Sequence, residues 1–229
     1  MLETLRTEVL EANLEVVRRG LVLYTYGNAS AVCRERGLCV IKPSAVPYER
    51  MTADDMVIAD LDGNIVEGTR KPSTDLSTHV VLYRAFPSIG GVVHTHSRHA
   101  TAWAQAGLEI PCLGTTQADY FDGPVPVTGP LTEAESGDDV EAVTGAAIVR
   151  RIGTRDPLGC PGILVAGHAP FCWGKTVADA ARHAVIIEEL AVMAWQTLTV
   201  NPAAQPINAR LIHTHHSRRN GPNATYGKR

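Results

Sequence analysis

The sequence predicts an α/β fold: a single domain with a mixed, largely antiparallel central sheet flanked by helices. Three observations predict it. Segments with helical and with extended patterning are interspersed along the 229 residues. Several connections between the extended segments are too short for a helical crossover, which a parallel pairing would require. No internal repeat, low-complexity tract or composition shift marks a linker, so residues 1–229 read as one unit.

The elements follow in order. Residues 2–19 carry Leu2, Leu5, Val9, Ala12 and Val16 at helical spacing, and Gly20 is a C-terminal stop. Extended runs follow at Leu38–Lys42, Met56–Asp60 and Ile65–Glu67, the last two joined through the turn-rich Leu61–Asn64. Asp75–Phe86 reads as a helix ended by Pro87, and Gly91–His96 as a compact apolar strand. Arg98–Ala106 is helical, whereas Ile110–Pro130, rich in Gly, Pro and Thr, is loop with short extended pieces. Asp139–Arg151 is a helix, Gly162–Ala166 a buried strand, and Thr176–Val200 a long helix with Val177, Ala180, Ala184, Ile187 and Val192 among its apolar positions. The remainder reads as irregular.

The totals exclude several classes of function. A hydrophobic content of 45% with 20% charged residues is that of a globular protein, and a net charge of -3 gives no basis for a nucleic-acid or anionic-membrane partner. No apolar run reaches the roughly 18 residues of a spanning helix, and the charged N-terminus is not that of a signal peptide. Five scattered cysteines without a CxxC pair suit free thiols in a reducing cytoplasm. One asymmetry stands out: after Glu189 there is no acidic residue, while Arg210, Arg218, Arg219, Lys228 and Arg229 follow. Such a tail is either solvated or a source of cations for an anionic substrate.

The strongest chemical signal is His94-Thr95-His96. Residues two apart on a strand share a face, so both imidazoles can reach one ion. His168 also follows an apolar strand, and three neutral imidazoles with an open position suit a catalytic divalent metal. His79 and His183 lie within helices and read as solvated or packed, His99 as a neighbour of the ligands, and His213, His215 and His216 as part of the basic tail. Three short turns, Gly27–Ser30, Lys42–Ala45 and Pro72–Asp75, combine hydroxyls, small residues and a lysine. Backbone N–H groups and hydroxyls at such turns can cradle a phosphate. Ser73-Thr74-Asp75 also reads as the cap of the following helix. No P-loop or dinucleotide fingerprint is present.

In fixed order, Gly27–Ser30, Ile41–Ser44, Met51–Asp55, Lys71–Asp75, Val93–Ser97 and Gly167–Pro170 resemble the class II aldolase family over nearly the whole chain. Thr115–Phe121 and Tyr226-Gly227 are similar to its epimerase members. The resemblance implies that His94, His96 and His168 hold a divalent ion, zinc or alternatively Mn2+ or Co2+, with the Asp75 carboxylate grouped beside them. Aldolases of the family carry a glutamate where this chain has Asp75. The resemblance also implies an acid–base pair, Asp119 and Tyr226, and phosphate contacts at Asn28, Lys42, Ser44, Ala45, Ser73 and Thr74. Glu141, His215 and Arg218 match positions that the family receives from a neighbouring subunit, which implies a homotetramer with active sites at subunit interfaces and a role for segment 201–229.

The implied reaction is metal-dependent epimerisation of a pentulose phosphate at C4 by retro-aldol cleavage and re-addition, serving arabinose or ascorbate-type catabolism. The alternatives are an aldolase that releases its aldehyde and a non-catalytic binder of metal and sugar phosphate. A zinc hydrolase of the HExxH type is excluded because that spacing is absent. Two departures stand out. Ala45 replaces the phosphate-loop glycine, which matters if position 45 needs a positive φ. Ala166-Gly167 precedes His168 where relatives carry more polar residues.

Overall fold

Apolar residues at helical spacing produce α1 (Leu2–Arg18), whose Val9, Ala12 and Val16 form a buried stripe. The computed structural model describes residues 2–221 and 224–225. Seven strands, β1 (Asn28–Cys33), β2 (Leu38–Ile41), β3 (Val57–Asp60), β4 (Ile65–Glu67), β5 (Gly91–His94), β6 (Gly162–Leu164) and β7 (Pro170–Gly174), form one sheet in the order β4-β3-β2-β1-β5-β7-β6. Every pairing of these strands is antiparallel. Among the described residues the parallel component of the expected mixed sheet is a single bridge, Val127–Leu164.

The helices are α2 (Leu76–Ala85), α3 (Arg98–Gln105), α4 (Thr115–Ala118), α5 (Val140–Ile152), α6 (Val177–Val200) and α7 (Ala209–Asn220). α1 and α6 pack on each other and on the central strands, α2 pairs with α5, and α4 with α7. One continuous buried cluster runs from Val9 through Ile41, Val93 and Phe171 to Ile187. All five cysteines are buried, and none of them forms a disulfide among the described residues. Among the described residues no helix is long and apolar enough to cross a membrane.

Four elements depart from the sequence expectation, one of them the short helix α4, which lies within the segment Ile110–Pro130 read as loop with extended pieces. β1 lies where Gly27–Ser30 reads as a turn. Its small, partly polar residues lack the usual strand pattern, but β2 and β5 flank it and all six residues are buried. β7 begins with a proline and ends with a glycine, which hides it from a propensity reading; Pro170 occupies the first strand position, where a proline is tolerated. α7 occupies the segment read as irregular. Only Ile212 is buried, so no apolar stripe announces it, yet the Asn208 side chain caps it by accepting from Leu211 N at 2.9 Å. Two strands are shorter than expected by two residues each, and β2 and β3 by one: β5 stops at His94, and β6 stops before a tight turn in which Val165 N donates to Ala169 O at 3.0 Å.

Candidate active site

β-Sheet register creates the first half of the site. Asn28 on β1, His94 on β5 and Phe171 on β7 stand opposite one another in adjacent strands and share a face. The Phe171 ring stacks on His94 with centroids 4.2 Å apart and planes inclined by 18°. Pro170 O lies 2.9 Å from His94 Nδ1, so that nitrogen carries the proton and Nε2 is left as a ligand. The expected strand geometry of His94-Thr95-His96 needs correction, because His96 lies beyond the end of β5. The loop nevertheless brings the two Nε2 atoms within 3.1 Å.

His168 arrives from the β6–β7 turn, where Gly167 is left-handed (φ +71°). Ligand nitrogens of the three histidines all lie within 4.8 Å of one another. Two nitrogens bound to one tetrahedral ion are about 3.4 Å apart, so the set fits a divalent metal with little adjustment. Burial pushes all three imidazoles towards the neutral form that a ligand requires, His94 down to about 3. Asp75, grouped with the ligands on sequence grounds, lies outside this close set. Its carboxylate is engaged by Asn28 Nδ2 at 2.6 Å. Burial alone would raise the Asp75 carboxyl, but His94, His79 and the Asn28 amide more than offset it and hold it low.

The second half is built by two loops zipped backbone to backbone. Ser44 N donates to Lys71 O (2.8 Å), Ser73 N donates to Lys42 O (3.0 Å), and Pro43 bridges Pro72. The turns read separately in the sequence thereby become one wall carrying Lys42, Ser44, Ala45, Ser73 and Thr74. Burial lowers the Lys42 ammonium to about 8, with Asp75 opposing the shift. Gly27 is left-handed (φ +82°), and a Cβ there would lie 3.0 Å from His94 O, which explains why no side chain stands between the turn and the metal strand. Asn28, Lys42, Ser44, Ala45, Ser73, Thr74, Asp75, Glu141 and the three histidines all line one cavity of about 880 Å³. Glu141, expected from a neighbouring subunit, belongs to its own chain's cavity.

Asp119, His215 and Arg218 do not line that cavity. Asp119, at the C-terminal end of α4, forms a separate cluster with α7: His215 Nδ1 lies 3.0 Å from Asp119 Oδ1, and Asn220 Nδ2 donates to Asp119 O at 2.9 Å. Tyr226 lies outside the described residues. His79 is packed, as one of its two sequence readings has it. It is fully buried against Ser30 Oγ at 2.6 Å, which in turn meets Tyr83 OH at 2.7 Å. His183 is half-buried with Nδ1 2.7 Å from Trp173 O. His99 Nδ1 lies 2.8 Å from Glu188. Sequence reasoning missed Phe171, whose ring stacks on His94, and Thr78, which lines the cavity, because an aromatic or a threonine in a mixed segment carries no signal that separates site from core.

An antiparallel α/β frame with three clustered histidines beside a lysine-bearing wall of one cavity defines the class. The chain belongs to the family of the class II aldolase and adducin N-terminal domain, whose model matches residues 7–195. It is 53% identical over 228 residues, covering 100% of both chains, to proteins named L-ribulose-5-phosphate 4-epimerase UlaF from Salmonella paratyphi B (strain ATCC BAA-1250 / SPB7) and Salmonella paratyphi C (strain RKS4594). The fold is also that of an L-fuculose 1-phosphate aldolase structure (TM-score 0.81, 21% identity, 94% of this chain and 95% of the other).

Proposed function

We propose that this chain epimerises L-ribulose 5-phosphate to D-xylulose 5-phosphate at C4 by retro-aldol cleavage and re-addition. The observation that carries the reading is the joining of three neutral, converging imidazoles and the Lys42 wall in one cavity, in a chain 53% identical to named epimerases. A divalent ion, for which we propose zinc, held by His94, His96 and His168 supplies Lewis-acid stabilisation of charge developing on the ketose C2 oxygen. Asn28, Lys42, Ser44, Ser73 and Thr74 hold the phosphate end, with Ala45 shaping the turn. One of Asp119 and Tyr226 takes the C4 hydroxyl proton as the C3–C4 bond breaks, and its electron pair passes to the enediolate fragment. Glycolaldehyde phosphate, tethered at its phosphate, turns its other face. The C3–C4 bond re-forms, and the second residue returns a proton to the C4 oxygen.

Inversion needs acid–base groups on both faces of the aldehyde. Within one chain the Asp119–His215 pair lies apart from the cavity, which supports a homotetramer in which segment 201–229 completes a neighbour's site. The proposed setting is the cytoplasm, and the proposed working unit is one domain spanning 1–229. Incubation with L-ribulose 5-phosphate, followed by NMR of the products, is expected to give D-xylulose 5-phosphate without free aldehyde. Accumulation of glycolaldehyde phosphate would instead identify an aldolase.

A further inference from the structure

Three consecutive carbonyls of the cavity wall, those of Thr25, Tyr26 and Gly27, are held by two buried side chains. The Lys42 ammonium donates to Thr25 O at 3.0 Å. The Tyr48 hydroxyl lies 3.2 Å from Tyr26 O and 3.0 Å from Gly27 O, sharing its single proton between them. The two holders also meet each other: the Lys42 ammonium lies 4.7 Å from the centroid of the Tyr48 ring. Lys42 is 2% exposed and Tyr48 4%. Thr25, Tyr26, Gly27 and Lys42 face the cavity, whereas Tyr48 does not.

We propose that Tyr48 is a positioning residue that sets the Lys42 ammonium and the Thr25–Gly27 turn as one preformed anion cradle. This deepens the proposed function and rests on its phosphate-bearing substrate. The chemistry of the ring favours the role. A buried ammonium needs a partner, and a carboxylate in direct contact would satisfy it but repel a phosphate. An aromatic face stabilises the cation without a formal negative charge and without occupying its N–H groups. Thr25 O takes one of the three protons; among the described residues no second acceptor is in range, so two remain for an anion. The hydroxyl performs the second task. By tying the Tyr26 and Gly27 carbonyls it fixes the left-handed Gly27 and so the entry into Asn28, the amide that engages Asp75. A tyrosine that merely filled the core would need one acceptor for its hydroxyl and would have no cation on its face.

The test compares the metal-loaded enzyme with Tyr48→Phe, Tyr48→Leu and Lys42→Met, using inorganic phosphate as a competitive inhibitor of L-ribulose 5-phosphate turnover. The expected result is a phosphate inhibition constant raised several-fold by Tyr48→Phe and about tenfold or more by Tyr48→Leu, with the KM rising in step. The kcat stays within about twofold and the metal content per chain is unchanged. If Lys42→Met weakens phosphate binding while neither Tyr48 variant does, the positioning role is overturned and the cradle stands. If Lys42→Met also leaves phosphate binding intact, the phosphate-site reading falls and this inference falls with it. Loss of metal and kcat without a change in the inhibition constant reduces Tyr48 to a structural residue and likewise overturns the proposal. Tyr48→Phe preserves the ring volume, so the test survives misfolding of the leucine variant.

Discussion

A methyl group at position 45 sits where the backbone turns left-handed, with φ +58°. That conformation costs an L-residue about 1–2 kcal/mol relative to its preferred regions, and glycine avoids most of it. Ala45→Gly is therefore expected to raise stability by about 1 kcal/mol and the Tm by about 2–4 °C; a thermal scan showing no rise would contradict the strain. His79 supplies a second prediction. Burial lowers it to about 4, against about 6.5 in the unfolded chain. Between those values the unfolded state binds the proton that the folded state refuses. Stability therefore falls as pH drops from about 6.5 and levels off near pH 4, by about 3 kcal/mol from this residue. Urea unfolding of metal-free protein is expected to show that slope, and His79→Gln to reduce it; equal slopes would rule it out. Asp119→Asn is expected to lower kcat by about 10²–10⁴-fold with the metal retained, as measured by single-turnover assay. At this scale the clustering of the three histidines and the place of Lys42 in the same cavity were legible, because imidazoles and a lysine among turns are rare signals. Tyr48 and the ring of Phe171 were not, since their roles arise from what the fold lays against them.

The loop that carries His96 is anchored by a helix that no local pattern connects to it. Glu188 on α6 accepts from His99 N at 3.0 Å and Ala100 N at 2.9 Å, closing the N-terminus of α3 directly after the His96 loop. Removing this carboxylate leaves those donors unsatisfied. Glu188→Ala is expected to cost about 2 kcal/mol, lower the Tm by about 4–8 °C and weaken metal retention on dialysis. A variant as stable and metal-replete as the parent would show that the cap is dispensable. Element legibility followed the same physics. α1, α2, α5 and α6 announce themselves through apolar spacing or bounding stops. β1 and α7 do not: the first is specified by neighbours on both sides, and the second holds α4 through one buried isoleucine and polar contacts.

At the scale of the whole molecule, the sheet places His94 at the end of β5 and His168 in the β6–β7 turn, while two bridged loops bring Lys42 and Ser73 to the same cavity. The frame was legible in the alternation of elements and the shortness of connections. The division of the site was only half legible, because the Asp119–His215 cluster and Glu141 lie in places that sequence spacing does not encode. The most direct test of the central claim is turnover of L-ribulose 5-phosphate to D-xylulose 5-phosphate by purified protein, before chelation, after it and after a divalent ion is restored. Conversion that vanishes with the metal and returns with it is the expected result. Conversion that persists in thoroughly metal-free protein, or no conversion when the three histidines are fully loaded, would contradict it.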